Sequence, residues 1–198
     1  MITMPARLRD RPVDKRGYVV PWNVLVADDG TPFFTVNDDR RHLKAVRGGL
    51  CPLCGGILGR WKWFVGGPLS AFDPHGWFLD LPGHRDCMEY ALATCPYLAM
   101  PKWATGDHIP HRDKLATTAP ILIDETAIPD RPEVFVAIAS DGIEIKSGGL
   151  HLPYVRPVKP VLDYTFWRHG REIPLDEALP YLRIALGGNW VPPEKSQC

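Results

Sequence analysis

The sequence predicts an α+β fold, and three observations carry that prediction. Short runs rich in valine, isoleucine and aromatic residues, bounded by Gly, Pro and Asp, predict small β-hairpins. Stretches with apolar residues at spacings of three and four predict helices among them. Two short-spaced pairs of soft ligands, Cys51-Pro-Leu-Cys54 and His84-Arg-Asp-Cys87, predict that distant parts of the chain meet at one metal ion.

The elements follow in order. Residues 1 to 17 hold several Arg and Asp residues and two internal prolines with little periodicity, and read as an irregular N-terminal arm that only docking would order. Tyr18 to Val26, the turn Ala27-Asp-Asp-Gly30 and Thr31 to Val36 predict a hairpin. Polar capping residues at 37 to 39 precede a short helix that Gly48-Gly49 ends, releasing the chain into the first cysteine pair. Trp61, Trp63 and Val65 alternate within a strand predicted over Ile57 to Val65. Leu69 to Phe72 and Trp77 to Leu81 read as further extended segments flanking Asp73-Pro-His-Gly76.

Pro82 to Pro96 reads as a helix start, body and stop, with Pro96 ending it near Cys95. Pro101 to Pro120, with His108, His111 and Lys114, reads as a surface loop. Alternating Val134, Val136 and Ile138, then Asp141-Gly142 and Ile143 to Lys146, predict a hairpin, which Gly148-Gly149 and three prolines separate from an apolar run over Val161 to Trp167. The last unit predicts a helix with Leu175, Leu179, Leu182 and Leu186 as its apolar stripe, disturbed by Pro180. The expected organisation is an arm (1–17), a zinc-centred core (18–120) and a C-terminal hairpin and helix unit (121–198) that can belong to the same domain.

At 198 residues, 45% of them hydrophobic, the chain can bury a real core. The 23 basic and 23 acidic side chains cancel, so no overall positive field draws it to nucleic acid. Five cysteines, an odd number with three in metal-type spacing, fit a reducing compartment better than a disulfide framework. With no signal-like apolar run at the N-terminus and no run of about 18 apolar residues, the expectation is a cytoplasmic protein with no membrane partner.

Gly55-Gly56 allow the tight bend of a zinc knuckle after Cys54, and His84 and Cys87 on the first turn of a helix would project together. The positive helix N-terminus favours a Cys87 thiolate. Knuckle, intervening strands and ligand-bearing helix form the order of a treble-clef-like module holding Zn2+. Four protein ligands leave no position for a catalytic water. The rival readings are three buried free cysteines without metal, a redox Cys51/Cys54 pair that the glycines disfavour, and His42 replacing His84 as ligand. Cys95, about 12 Å along the helix from Cys87, is too far to share the ion and reads as a small buried hydrophobe.

Arg60 and Lys62 interleave with Trp61, Trp63 and Phe64, a pattern that serves either a nucleic-acid surface or a sheet core. Asp163, Arg168, His169, Arg171 and Glu172 read as surface ion pairs around a turn. Phosphate loops, dinucleotide fingerprints, nucleophile elbows, His-Glu-x-x-His helices and the His-x-Glu of zinc deaminases are all absent. Asp73, His75 and Asp80 are the residues a metal-dependent hydrolase or nuclease would use.

Cys51-Pro-Leu-Cys54-Gly-Gly, the Phe-Val-Gly-Gly-Pro run at 64 to 68 and His84-Arg-Asp-Cys87-Met-Glu-Tyr-Ala-Leu-Ala-Thr-Cys95-Pro-Tyr-Leu98 together resemble a group of proteins encoded by actinobacterial genomes and their phages. The likeness is specific over 51 to 101 and extends weakly to Trp167-Arg-His-Gly170-Arg171 and Leu175-Asp-Glu-Ala-Leu179. It implies an accessory role in a phage or prophage, interference with a host system included, and no particular reaction. The leading expectation is therefore a zinc-stabilised binding or adaptor protein contacting protein or, through Arg60, Lys62 and neighbouring aromatics, nucleic acid. The alternatives are the hydrolase or nuclease above and a structural phage component.

Overall fold

The strongest apolar runs of the chain meet in one antiparallel sheet. A computed structural model describes residues 2–100, 131–146, 153–158 and 160–195. The strands are β1 (Val24–Val26), β2 (Pro32–Asn37), β3 (Lys62–Gly66), β4 (Phe135–Ser140), β5 (Ile143–Lys146), β6 (Tyr154–Pro157), β7 (Asp163–Arg168) and β8 (Arg171–Ile173). The helices are α1 (Asp39–Gly48), α2 (Pro68–Phe72), α3 (Arg85–Thr94), α4 (Pro96–Ala99) and α5 (Leu175–Leu186). The main sheet runs β3-β4-β7-β8, with β1-β2 and β5-β6 as separate ribbons. It therefore takes strands from both sides of the 120/121 boundary.

β4 is buried along its whole length, so both of its faces are core. Val136 and Ile138 pack with Phe64, Phe166, Ala71 of α2 and Ala178 and Leu182 of α5. Phe135, Ala137 and Ala139 pack on the other face with Trp63, Trp167 and Met88 and Leu92 of α3. The result is a three-layer α/sheet/α arrangement in which each fully buried Leu, Ile, Val or Phe contributes about 1.5–3 kcal/mol relative to exposure. The small Ala137 and Ala139 leave room for α3 to lie close to the sheet.

That position of β4 corrects the hairpin expected over 133 to 146. β4 and β5 do not pair; β4 lies between β3 and β7, and β5 pairs with β6. A strand apolar on both faces gains more between two neighbours than at an edge. The Ser140 hydroxyl accepts from the Gly142 N–H at 3.2 Å and places its single proton between the carbonyls of Val158 and Gly142, 2.8 and 3.0 Å away, which fixes the bend into the second ribbon.

Other differences have local causes. Leu69 to Phe72 is helical rather than extended: Pro68 sits at the first helical position after the Gly67 cap, where its fixed φ suits a helix. Trp77 to Leu81 forms no strand and meets β6 through the isolated Phe78–Val155 bridge and the Arg156 guanidinium, 4.6 Å from the Trp77 ring centre. The expected hairpin at 18 to 36 forms as β1-β2, but its first strand is short, because Trp22 and Asn23 turn their N–H groups to Leu53 and Pro52 instead. The helix at 37 to 46 forms as α1, capped by Asp38, whose carboxylate accepts from the Arg41 N–H at 3.0 Å.

α5 tolerates Pro180 within it, yet its inward side is Ala178 and Leu182, and Leu175 of the expected stripe is exposed. β7 and β8 are joined by His169 and Gly170, whose φ of 50° and 76° make the tight twist-matched turn of a hairpin. Among the described residues no helix is long and apolar enough to cross a membrane. The loop expected at 101 to 120, Gly148-Gly149 and Cys198 lie outside the described residues.

Candidate metal centre

The centre is built from a turn, a helix start and the arm that covers them. After α1 the chain forms the knuckle: Cys51 N–H donates to Gly56 O and Gly55 N–H to Cys51 O, each at 2.8 Å, and Gly56 N–H points to Cys54 Sγ at 3.4 Å. Gly55 takes φ +77°, and a Cβ there would lie 2.7 Å from the Trp22 indole, so that position must be glycine on both counts. The Trp22 and Asn23 amides hold the same turn from outside, at 2.9 and 3.0 Å.

The second pair arrives by way of the sheet. Trp63 and Gly83 exchange backbone hydrogen bonds at 3.0 and 2.8 Å, so β3 sets the height at which the chain turns into α3. His84 is the N-cap of α3 and Cys87 lies in its first turn. A Cβ on Gly83 would come within 2.5 Å of Met88 Cε and 3.1 Å of Cys51 Sγ; the bare backbone is what lets the two halves close.

Cys51 and Cys87 are fully buried, packed under Leu8 and flanked by Met4, Val19, Leu53, Leu58 and Tyr90. Leu8 belongs to the N-terminal arm, which contains a 3₁₀ turn at Ala6–Leu8 and is tied to α3 by Arg7 to Asp86 at 3.1 Å. The arm docks at the Cys3His cluster. A lone leucine among charges carries no periodicity, and so the sequence offered little sign of this role.

The ligand atoms of Cys51, Cys54, His84 and Cys87 all lie within 4.8 Å of one another. A tetrahedral zinc with Zn–S arms of about 2.3 Å has S–S edges of about 3.8 Å and, with Zn–N of about 2.0–2.1 Å, S–N edges of about 3.5 Å. His84 Nδ1 stands 3.4 Å from Cys54 Sγ, which matches that edge. The other ring nitrogen settles the tautomer: Nε2 lies 3.0 Å from the Ile57 carbonyl, which can only accept, so Nε2 carries the proton and Nδ1 presents its lone pair inward.

Without a cation, Cys54 is the site at which a thiolate is favoured, because Cys51 and Cys87 donate to it and the Gly56 N–H faces it. Cys51 and Cys87 are pushed up, chiefly by their hydrogen-bonding within the trio. Cys87 is thus not the thiolate expected from the helix N-terminus, and deprotonation of all three sulfurs would require a positive ion among them. The donor set thus fits a closed Cys3His metal shell.

Other expected site residues stay apart. Cys95, at the C-cap of α3, lies outside the group, and burial pushes its thiol up. His42 does not replace His84; it is buried on α1 beside Ala45. Asp73, His75 and Asp80 form no metal-ligating group among the described residues: His75 and Asp80 are exposed, and Asp73 accepts from the His75 backbone N–H at 2.7 Å. Trp63 is core at 4% exposure, whereas Trp61 is 37% exposed with the Arg60 guanidinium 5.9 Å from its ring centre. Lys62 is not free, because its ammonium donates to the carbonyls of Arg60 and Asp141 at 2.9 and 2.7 Å.

In the C-terminal cluster, Arg171 pairs with Glu177, Lys195 with Asp163 at 2.5 Å and Arg168 with Glu133 at 3.4 Å. Comparison of the chain with protein-family models, with curated proteins and with solved structures finds no match.

Proposed function

We propose that this chain is a zinc-stabilised binding or adaptor protein, in which Cys51, Cys54, His84 and Cys87 hold one structural Zn2+ in a treble-clef-like arrangement and exposed surfaces contact protein or nucleic acid. The observation that carries the reading is the mutual approach of four ligand atoms within 4.8 Å, two from a knuckle and two from a helix start. Four protein donors complete a tetrahedron, which is the structural rather than the catalytic form of a zinc site. The scatter of Asp73, His75 and Asp80 removes support from the hydrolase or nuclease alternative. The resemblance over residues 51 to 101 adds a phage or prophage accessory role.

Elemental analysis of the purified chain tests the reading. One zinc per chain is expected, lost in Cys51→Ser together with the order of the knuckle and the start of α3, seen as a lowered melting temperature. Melting that is indifferent to removal of the metal counts against it.

A further inference from the structure

Helix α1 carries four basic side chains, and they divide into two kinds. Arg41 is structural: its guanidinium donates to the Trp22 carbonyl at 2.8 Å and lies 3.8 Å from Asp38. Arg40, Lys44 and Arg47 are exposed and have no acidic partner among the described residues. At about 100° per residue these three fall within about 60° of the helix circumference, opposite the buried His42 and Ala45. A net-neutral chain has gathered three unneutralised cations on one helical face.

We propose that this face is a docking surface for the phosphate backbone of duplex DNA, read without sequence. The three side chains span about 10.5 Å of helix axis, close to three steps of about 3.4 Å per phosphate along one DNA strand, so the row is long enough to reach several phosphates. The composition selects the occupant. Binding a single strand requires aromatic side chains for stacking, and this face has none. A protein interface requires an apolar or aromatic centre, and the one large apolar side chain beside this row, Leu43 at 37% exposure, lies on its flank at about 100° per residue. What the face offers is charge at regular spacing, and the duplex backbone is the matching partner.

The proposal deepens the binding reading above and names its partner; it does not require the metal. The test is fluorescence anisotropy of the zinc-replete full chain with a labelled mixed-sequence DNA duplex across a salt series. Three phosphate contacts give a log–log salt slope of about −2.7, a loss of about 40-fold between roughly 50 and 200 mM salt. Each of Arg40→Gln, Lys44→Gln and Arg47→Gln should reduce the slope by about 1, and Arg183→Gln on α5 should leave it unchanged.

Zinc content and melting of the triple variant, measured in parallel, should equal those of the unaltered chain. No binding at low salt, or full binding by the folded triple variant, overturns the surface. Capture of poly-glutamate in preference to duplex through the same residues overturns the assignment to DNA. Normal zinc content without DNA binding removes this surface and leaves the zinc reading standing; DNA binding through α1 by a chain that holds no zinc does the reverse.

Discussion

The Cys3His end and the sheet end of this protein differ in how much apolar area they bury. Around the sheet, buried residues cover both faces of β4: Val134, Val136, Ile138, Phe166 and Leu182 on one side, Trp63, Met88, Leu92 and Trp167 on the other. Around the knuckle, the fully buried side chains are Leu8 and two cysteines. A core that small cannot offset the entropy of ordering the arm, the knuckle and the start of α3. One end is held by area; on the proposed reading the other is held by coordination. α3 joins them, with His84 and Cys87 at its first turn and Met88 and Leu92 lying on the sheet.

The largest expected effect separates the two ends. Chelation of the metal, or Cys87→Ser, should abolish hydrogen-exchange protection at Cys51, Gly55, Gly56 and the docked arm, since structural zinc contributes about 10–16 kcal/mol in small zinc modules. The amides of β4 should keep most of theirs. Equal loss at both ends would show that the sheet depends on the metal as well, and the contrast would fail.

Leu182→Ala is the reciprocal experiment. Removing a fully buried leucine from α5 should cost about 2–5 kcal/mol in denaturant unfolding, with zinc content unchanged. Zinc loss in that variant would mean that the two ends unfold as one.

A smaller effect comes from His42. Its ring is fully buried, neither nitrogen completes a hydrogen bond, and burial holds the imidazole below its usual 6.5, with the Pro153 carbonyl and the Asp39 charge pulling the other way. The folded chain therefore keeps His42 neutral, while the unfolded chain takes up a proton as pH falls below 6.5. Its contribution is fully present above 6.5 and declines as pH falls toward the depressed value in the fold. Denaturant midpoints compared with His42→Leu at each pH isolate that term; parallel profiles would show that His42 titrates alike in both states.

The legible and illegible parts of this molecule divide along the same line. A candidate metal cluster needs particular residue types at particular spacings, so the meeting of Cys51, Cys54, His84 and Cys87 was readable, along with the glycine bend and the stop at Pro96. The place of β4 was not, because it depends on pairing with strands far along the chain, and the local Asp141-Gly142 turn signal pointed to the wrong neighbour. The unbroken run Phe135-Val-Ala-Ile-Ala-Ser140 did carry a cue, since a strand without polar alternation is buried on both faces. α2 is a single turn, too short to show a period. Leu8 and Gly83 matter through what they touch, and the hydrogen bond from His84 to the Ile57 carbonyl uses a backbone atom, which no residue type announces.

X-ray absorption at the zinc K edge of the purified full chain tests the central claim most directly. The expected shell is three sulfurs at about 2.3 Å and one nitrogen at about 2.0–2.1 Å, with no oxygen. A knuckle and arm that keep their order without bound zinc, or a shell containing water oxygen in place of one of the four side chains, would contradict it.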